Sequence, residues 1–364
     1  MKVVLENISK QFGKVVAVKD FSLEILSGEF LVLLGPSGSG KTTVLRMIAG
    51  LQIQDSGDIY IGDTLVNDLE PKDRNLTMVF QNYALYPHMI VFDNIAFPLK
   101  VRKVQKDEIQ RRVAQVASAL RIGDLMDRKP REISGGEAQR VALGRTIIGD
   151  SQIFLMDEPL SNLDAKLRIQ MRAELQLLHR KLKKTTIYVT HDQVEAMTIG
   201  QKIAIMDKGE LQQVGTPDEV YNYPANRFVA EFIGSPPINM LEGEIKRRNG
   251  RVEIEIDDYF LTVPVRMENV LRESNLSRVL VGVRPENVSI FMEKQVNSLP
   301  ADVELVESIG SDLYVYLIHK DKTIIARTQP SAKLPIGRTV WLTFDCEKTH
   351  IFNIQNGLSL VGKS

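Results

Sequence analysis

One glycine-rich segment of the chain has the residue types and spacing of a phosphate-binding loop. It reads Gly35-Pro36-Ser37-Gly38-Ser39-Gly40-Lys41-Thr42-Thr43 and matches the pattern GxxxxGK followed by Ser or Thr. The glycines let backbone N–H groups surround a phosphate, Lys41 neutralises the outer phosphates, and the Thr42 hydroxyl is suited to Mg²⁺. An apolar run precedes the segment and a helical pattern follows it, as this motif requires. We therefore expect a site for ATP and Mg²⁺ here.

Two acidic residues follow a second apolar run. The sequence Ile153-Phe-Leu-Met is followed by Asp157, Glu158 and Pro159. Open α/β sheets bind ligands at the carboxyl ends of their strands, so we expect both carboxylates beside the nucleotide. Asp157 is then placed to hold Mg²⁺, and Glu158 to accept the proton of the water that attacks the γ-phosphate. Taken alone, two acids before a proline are as typical of a turn as of a catalytic site. The phosphate loop elsewhere in the chain favours the catalytic interpretation.

A histidine follows a third apolar run. His191 comes directly after Ile187-Tyr-Val-Thr190, so it can reach the same edge of the sheet and contact the γ-phosphate. A single histidine is more often structural than catalytic. Its position after a buried strand favours a role in hydrolysis.

The elements that must position these residues are buried strands alternating with amphipathic helices. Short apolar runs predict strands that are covered on both faces. Apolar residues recur at helical spacing in two stretches, from Ile109 to Leu120 and from Leu167 to Leu182. This alternation predicts an α/β domain with a largely parallel sheet.

The pattern changes after two prolines at positions 236 and 237. Segments such as 251–256 and 313–318 alternate between apolar and polar residues and are separated by Gly, Pro and Asn, as in a small all-β domain. The sequence therefore predicts an α/β domain over residues 1–235 and an all-β domain over residues 236–364.

Composition limits the classes of partner. The chain has 46 Lys and Arg residues against 46 Asp and Glu residues, so its overall charge does not favour nucleic acid or acidic lipid. Cys346 is the single cysteine and fits a reducing compartment. The chain begins with no signal-peptide pattern, and no segment approaches the ~20 apolar residues of a membrane span. We expect a cytoplasmic protein whose membrane role depends on partners.

A fourth motif selects one family among the phosphate-loop ATPases. The segment Ile133-Ser134-Gly135-Gly136-Glu137-Ala-Gln-Arg140 resembles the signature motif of ATP-binding-cassette (ABC) proteins, although that family usually has Leu at the first position. Asp164 matches the family's D-loop, Gln81 its Q-loop and His191 its switch histidine. These motifs occur in the family's order across residues 1–235.

The resemblance implies a fold and a composite site. The fold is a P-loop NTPase domain, with a RecA-like core and a helical subdomain near residues 86–150. In the family, two chains pair head to tail, and each ATP lies between the phosphate loop of one chain and the signature turn of the other. We expect the second chain to be another copy of this one or a close paralogue. Ser134, Gly135, Gly136 and Glu137 are then expected ATP ligands. Gln81 and Asp164 are expected to assist catalysis, with Gln81 also on Mg²⁺.

The resemblance also assigns the adenine contact. Phe12 matches the A-loop position, whose aromatic ring stacks on adenine in the family. The family usually has Tyr there, and Phe keeps the stacking face while losing the hydroxyl.

The resemblance further implies a membrane assembly. In relatives the stretch 81–100 forms the groove that receives a helix of a transmembrane permease, with Gln81 coupling it to the γ-phosphate. We expect two permease subunits, an external solute-binding protein that acts through them, and a peripheral location on the cytoplasmic face of the membrane. The residues expected near the permease are Tyr83, Leu85, Tyr86 and His88.

The tail bears on the cargo. Segments 281–288, 306–314 and 344–352 resemble the paired oligonucleotide-binding-like (OB-like) TOBE regulatory domain of the maltose and glycerol-phosphate importer ATPases. This implies sugar import. Sulfate, iron and polyamine importers use similar ATPases, so these cargoes remain alternatives.

The alternatives of another class are a soluble ABC protein of DNA repair or translation and a regulatory module that binds ATP without hydrolysis. The tail lacks a basic stripe interleaved with aromatics, so we expect no nucleic acid.

Overall fold

The computed structural model describes residues 1–80, 85–149, 151–248, 251–263, 265–332 and 334–360. The chain forms two compact units, Met1–Pro217 and Asp218–Ser364. Among the described residues, no helix has both the length and the apolar composition needed to cross a bilayer.

The first unit is built on two sheets. Its strands are β1 (Val3–Phe12), β2 (Val15–Ile25), β3 (Phe30–Leu34), β4 (Ser56–Ile61), β5 (Thr64–Leu65), β6 (Leu76–Val79), β7 (Ile153–Asp157), β8 (Thr185–Thr190), β9 (Lys202–Asp207) and β10 (Glu210–Gly215).

The larger sheet has the order β10-β9-β3-β8-β7-β6. Its strands β9, β3, β8, β7 and β6 run parallel, and β10 pairs antiparallel with β9. Every residue of β3, β7 and β8 is buried, which explains their continuous apolar runs. The predicted parallel sheet is confirmed, and β3, β8 and β7 lie side by side, so the three motifs that follow them meet at one edge.

The smaller sheet is antiparallel and has the order β2-β1-β4-β5. Its inward side chains, such as Leu5 and Phe21, join Leu31, Val44 and Leu155 in one buried core. Residues 1–8 alternate between apolar and polar types only loosely, and nothing else in the sequence indicates this sheet. The pairing of β1 with β4 brings together residues as far apart in the chain as Val3 and Ile61, which a local pattern does not indicate.

The helices of the first unit confirm most of the predicted periodicity. They are α1 (Lys41–Ile48), α2 (Val91–Val101), α3 (Lys106–Ala119), α4 (Gly135–Ile147), α5 (Ala165–Leu182) and α6 (Gln193–Ile199). Helices α2, α3 and α4 pack on one another through buried side chains such as Ile95, Val113 and Leu143, where the helical subdomain was predicted. In α5 only Met171 and Leu175 are buried, so its apolar stripe is covered over a shorter length than predicted.

The second unit is largely β, as predicted. Its strands are β11 (Asn239–Arg248), β12 (Arg251–Ile256), β13 (Tyr259–Thr262), β14 (Arg278–Val283), β15 (Val288–Phe291), β16 (Leu299–Ile309), β17 (Asp312–His319), β18 (Lys322–Thr328), β19 (Thr339–Phe344) and β20 (His350–Asn353). They form two antiparallel sheets, β13-β12-β11-β14-β20 and β15-β19-β16-β17-β18, around one apolar core. The helix α9 (Val265–Glu273) was not anticipated from the alternating pattern.

Two short helices, α7 (Pro217–Asn222) and α8 (Arg227–Phe232), precede the second unit's strands and pack with them. Arg284, which is 2% exposed, donates hydrogen bonds to the backbone carbonyls of Ala230 and Tyr221, the first at 3.0 Å and the second at 3.1 Å. The compact units therefore divide near residue 217, whereas the change of sequence pattern lies near Ser235. The predicted domain limits stay a prediction.

Candidate ATP site

The phosphate loop lies between the end of β3 and the start of α1. Gly40 caps α1 with φ of 101°, a left-handed conformation that favours glycine. A Cβ at Gly35 would lie 2.2 Å from the carbonyl oxygen of Met206, and one at Gly40 would lie 2.3 Å from that of Ala17. These two positions therefore require glycine. The result is a tight turn whose N–H groups open at the N-terminus of α1, as an anion site needs.

Lys41 is held inside this loop. Its ammonium donates to the carbonyl oxygens of Gly35 at 2.9 Å and Pro36 at 2.7 Å, and to Ser39 Oγ at 3.3 Å. Burial lowers the pKa of Lys41, while the charges of Glu158 and Asp157 oppose that shift. The ammonium is thus already placed at the mouth of the loop, where a bound phosphate would offset the cost of its burial.

Thr42 and Asp157 meet across the edge of the sheet. Thr42 Oγ1 donates to Asp157 Oδ1 at 2.9 Å. Asp157 is 6% exposed, and burial raises its pKa, although the Thr42 hydroxyl and the Arg46 charge act in the opposite direction. A hydroxyl and a carboxylate are oxygen donors of the kind Mg²⁺ takes alongside phosphates and water. The residues therefore fit the Mg²⁺ site predicted at Thr42 and Asp157.

Replacing Asp157 with Asn tests this assignment, because the carboxylate is unfavourable without a cation. When folding raises the pKa of a carboxyl group, the folded protein becomes less stable as the pH rises above the pKa that the group has in the unfolded chain. Asn does not ionise, so the Asn variant does not lose this stability. At neutral pH we expect the nucleotide-free Asp157→Asn chain to melt no lower than wild type in calorimetry. We also expect the Mg²⁺-dependent part of ATP affinity, measured by titration with and without Mg²⁺, to fall about 10- to 100-fold. A large drop in melting temperature would show a structural carboxylate instead.

Glu158 and His191 form the second pair at this edge. His191 Nδ1 lies 3.1 Å from Glu158 Oε1, with the imidazole 55% and the carboxylate 20% exposed. The backbone N–H of Glu158 donates to the carbonyl of Val189 at 3.0 Å, and the φ of Glu158 is 44°, a left-handed value that is costly for this residue type. The hydrogen bond to the neighbouring strand thus stabilises a backbone conformation that Glu158 would otherwise avoid, and this backbone places the carboxylate.

The signature turn at the start of α4 is self-contained. Ser134 caps the helix, and Glu137 Oε2 accepts hydrogen bonds from the Ser134 backbone N–H at 2.7 Å and its hydroxyl at 2.8 Å. These bonds, the backbone one first, lower the pKa of Glu137. Ser134 and Gly135 are exposed. Among the described residues, no hydrogen bond joins this turn to the phosphate loop.

Three comparisons with known proteins decide the family. Family models match residues 18–161 as "ABC transporter", residues 234–288 as "MalK OB fold domain" and residues 281–352 as "TOBE domain". The trehalose/maltose import ATP-binding protein MalK of Thermococcus litoralis is 52% identical over 98% of both chains. The chain belongs to the ABC transporter family of import ATP-binding proteins. It is an ATPase, and ABC ATPases of importers dimerise and work with membrane permeases.

Further relatives are named for different cargoes. The oligosaccharides import ATP-binding protein MsmX of Bacillus subtilis is 48% identical over 96% of each chain. The sn-glycerol-3-phosphate import ATP-binding protein UgpC of Yersinia pseudotuberculosis is 47% identical over 98% of each chain. A solved dimer of an ATP-binding cassette with ADP and Pi, described as a post-hydrolysis state, covers 59% of this chain and 98% of its own, with 30% identity and a TM-score of 0.54.

Two other residues assigned from the ABC motifs are exposed. Asp164 caps α5 by accepting a hydrogen bond from the Leu167 N–H at 2.9 Å. Phe12, at the end of β1, is 48% exposed, and the Lys10 ammonium lies 5.6 Å from its ring centroid. A large exposed ring at that position is free to stack on a base. The roles of both residues in this ABC ATPase stay predictions.

Part of the predicted permease groove lies outside the described residues, including Gln81 and Tyr83. The adjoining segment is held by the buried side chain of Asn94, whose Oδ1 accepts from the Tyr86 N–H at 2.8 Å and whose Nδ2 donates to the Met89 carbonyl at 3.2 Å. Leu85 and Tyr86 are half-buried and His88 is exposed. The contact with a permease stays a prediction.

Sequence reasoning missed two charged residues beneath the site. Arg168 lies one turn into α5, and Glu195, which is 3% exposed, lies one turn into α6. The only local signal was the spacing Asp192-Gln-Val-Glu195, which is typical of a capping box. In the structure Asp192 does cap α6, but the Glu195 carboxylate turns inward to the Tyr188 hydroxyl at 2.8 Å.

Proposed function

We propose that this chain is the ATPase subunit of an importer for sugars or sugar-like solutes, the glycerol-phosphate class included. The observation that carries the proposal is the full-length similarity: relatives named for trehalose/maltose, oligosaccharides and sn-glycerol-3-phosphate each match at least 96% of the chain, second unit included. Sulfate, iron and polyamine importers are the alternative cargo classes, because the cassette alone does not select the solute.

The proposed site is shared between two copies of the chain. The phosphate loop of one copy and the signature turn of the other would enclose each ATP. The exposed Ser134 turn supports this, because it lies at a helix N-terminus, where the helix dipole favours an anion supplied by another chain. The similar cassette that is dimeric with ADP and Pi supports the pairing of two copies.

Each side chain then has a defined task in hydrolysis. Lys41 and the loop N–H groups bind the β- and γ-phosphates. Thr42 and Asp157 would hold Mg²⁺, which offsets charge on the phosphates when it is bound. Glu158 accepts a proton from the attacking water. His191, whose Nδ1 lies 3.1 Å from the Glu158 carboxylate, orients that carboxylate and reaches the γ-phosphate. Gln81 remains a proposed Mg²⁺ ligand and Asp164 a proposed contact to the partner copy.

We propose a peripheral position on the cytoplasmic face of the membrane, with two permease subunits bound near residues 81–100. An external solute-binding protein would act through those permeases. The anchoring of Tyr86 and Met89 by Asn94 supports this, because it gives the segment a defined shape for a partner helix.

Uptake by a strain that lacks the gene tests the cargo. We would measure entry of labelled maltose, trehalose and sn-glycerol 3-phosphate, with sulfate, iron and a polyamine in parallel, and restore the gene on a plasmid. Loss and recovery of a sugar or of glycerol phosphate would support the proposal. Recovery of sulfate, iron or polyamine uptake alone would refute the cargo class while leaving the ATPase assignment intact.

A further inference from the structure

Arg168 links two loops of the ATPase domain. It lies four residues after Asp164, and its Nη2 donates to the carbonyl of Leu163 at 3.1 Å and to that of Ser161 at 3.5 Å. Its Nη1 donates to Asp192 Oδ2 at 3.3 Å. One guanidinium therefore spans from the loop that ends at Asp164 to the residue directly after His191. A planar fork with several donors is suited to such a double contact, whereas a lysine ammonium is not.

The residues on either side of His191 are fixed from below by Glu195. The hydroxyls of Tyr188 and Thr190 each donate to Glu195 Oε2 at 2.8 Å. Thr190 Oγ1 in turn accepts the backbone N–H of Asp192 at 3.0 Å. Burial raises the pKa of Glu195, and the hydroxyl hydrogen bonds oppose that rise. Thus the half-exposed imidazole lies on a short loop that is tied through the Thr190 hydroxyl to one buried carboxyl group.

The link between these two residues is open in this structure. Arg168 Nε lies 4.0 Å from Glu195 Oε1, which is too far for a hydrogen bond. Nε is buried and has no hydrogen-bond partner among the described residues. A buried donor without a partner is costly. A shift of about 1 Å would bring the two atoms to hydrogen-bond distance, so a small movement of either loop would complete the link.

We propose that Arg168 and Glu195 are positioning residues for ATP hydrolysis. They tie the loop 161–164 to the loop that carries His191, so that the placement of one loop sets the placement of the imidazole beside Glu158. The inference rests on the proposed roles of His191 and Glu158. Neither Arg168 nor Glu195 is proposed to contact the nucleotide; both act through His191.

Single-turnover hydrolysis by the full-length chain, followed by release of labelled phosphate from ATP, tests the proposal. We expect Arg168→Gln and Glu195→Gln each to lower the rate about 10- to 100-fold, because a small displacement of a catalytic group has effects of this size. The ATP dissociation constant should change less than about twofold, since the phosphate loop is untouched. Arg168→Lys should restore little, because it keeps the charge and loses the fork.

Two controls make the outcome specific. Arg180→Gln removes an exposed arginine from the last turn of the same helix and should keep the wild-type rate. In the double variant of Arg168 and Glu195, the losses should not multiply, because both residues act on one contact. Glu195→Gln, which keeps the buried shape, carries the test if Arg168→Gln lowers the folded fraction in calorimetry.

The failures are separable. Wild-type rates in both single variants, or equal losses of rate and ATP affinity, would overturn the positioning proposal. If Glu158→Gln hydrolyses ATP normally in the same assay, the proposed function of the site fails instead. If the Glu158→Gln variant is inactive while the Arg168 and Glu195 variants are fully active, the proposed function stands and only this inference is refuted.

Discussion

The Glu158→Gln chain is expected to bind ATP at least as tightly as wild type, to hydrolyse it about 10²- to 10⁴-fold more slowly and to remain dimeric while ATP is bound. Glutamine keeps the shape of the side chain at this left-handed backbone position but cannot accept the proton of the attacking water. It also removes a negative charge from beside the γ-phosphate, which strengthens the contacts that enclose the nucleotide. Hydrolysis normally ends that state, so its loss should trap the dimer.

The measurement combines single-turnover hydrolysis with size-exclusion chromatography in ATP and Mg²⁺. Glu24→Gln, an exposed glutamate of β2, provides a matched control and should behave as wild type in both assays. Elution of the ATP-bound Glu158→Gln chain as a monomer would contradict the shared site. Unchanged turnover would show that another group accepts the proton.

Mixing two inactive variants should restore hydrolysis if each ATP is shared between two copies. Lys41→Ala removes a buried ammonium from the phosphate loop, and we expect ATP affinity to fall about 10- to 100-fold, as for loss of a charge-assisted hydrogen bond. Ser134→Phe places a bulky group on the exposed signature turn. It should abolish turnover while leaving ATP binding by the isolated chain unchanged, because that chain's own phosphate loop is intact.

A mixed dimer of these variants has one site with both defects and one site with neither. Random pairing makes half of the dimers mixed, so an equal mixture should recover about a quarter of the wild-type rate per subunit if the sites act independently. Each variant alone, at the same total concentration, is the control. A mixture as inactive as its components would mean that the phosphate loop and signature turn do not combine between chains. Unchanged ATP affinity in the Lys41→Ala variant would show that the phosphate loop is not part of the ATP site.

The local parts of the site could be predicted because each occupies one short stretch of chain. The strand β3, the loop with Lys41 and the helix α1 are consecutive, so glycine spacing and an apolar run were sufficient. The acids at the end of β7 were recognised in the same way. Their convergence also followed from the sequence, since parallel strands place their carboxyl ends at one edge.

The non-local parts could not be predicted in this way. The strand order joins segments that are far apart in the chain: Phe30 of β3 pairs with Thr186 of β8, and Ile153 of β7 pairs with Thr185 of β8. The pairing of β1 with β4 leaves no local pattern in the sequence. The helix α9 buries Met267 and Leu271 on one face, but it is a short helix among alternating strand segments, and the strand pattern was extended over it. Neighbours in space but not in sequence leave little trace in a single chain, because many partners satisfy the same apolar pattern.

What the sequence determined by itself is the chemistry: a phosphate loop, paired carboxylates and a histidine, each carried by an element that its own residues specify. The tertiary structure decided which atoms meet: Thr42 with Asp157 at 2.9 Å, His191 with Glu158 at 3.1 Å, and Arg168 between two loops. The physical reason is range. Periodicity and turn preferences act over a few residues, whereas these contacts depend on how whole strands and helices pack around a common core.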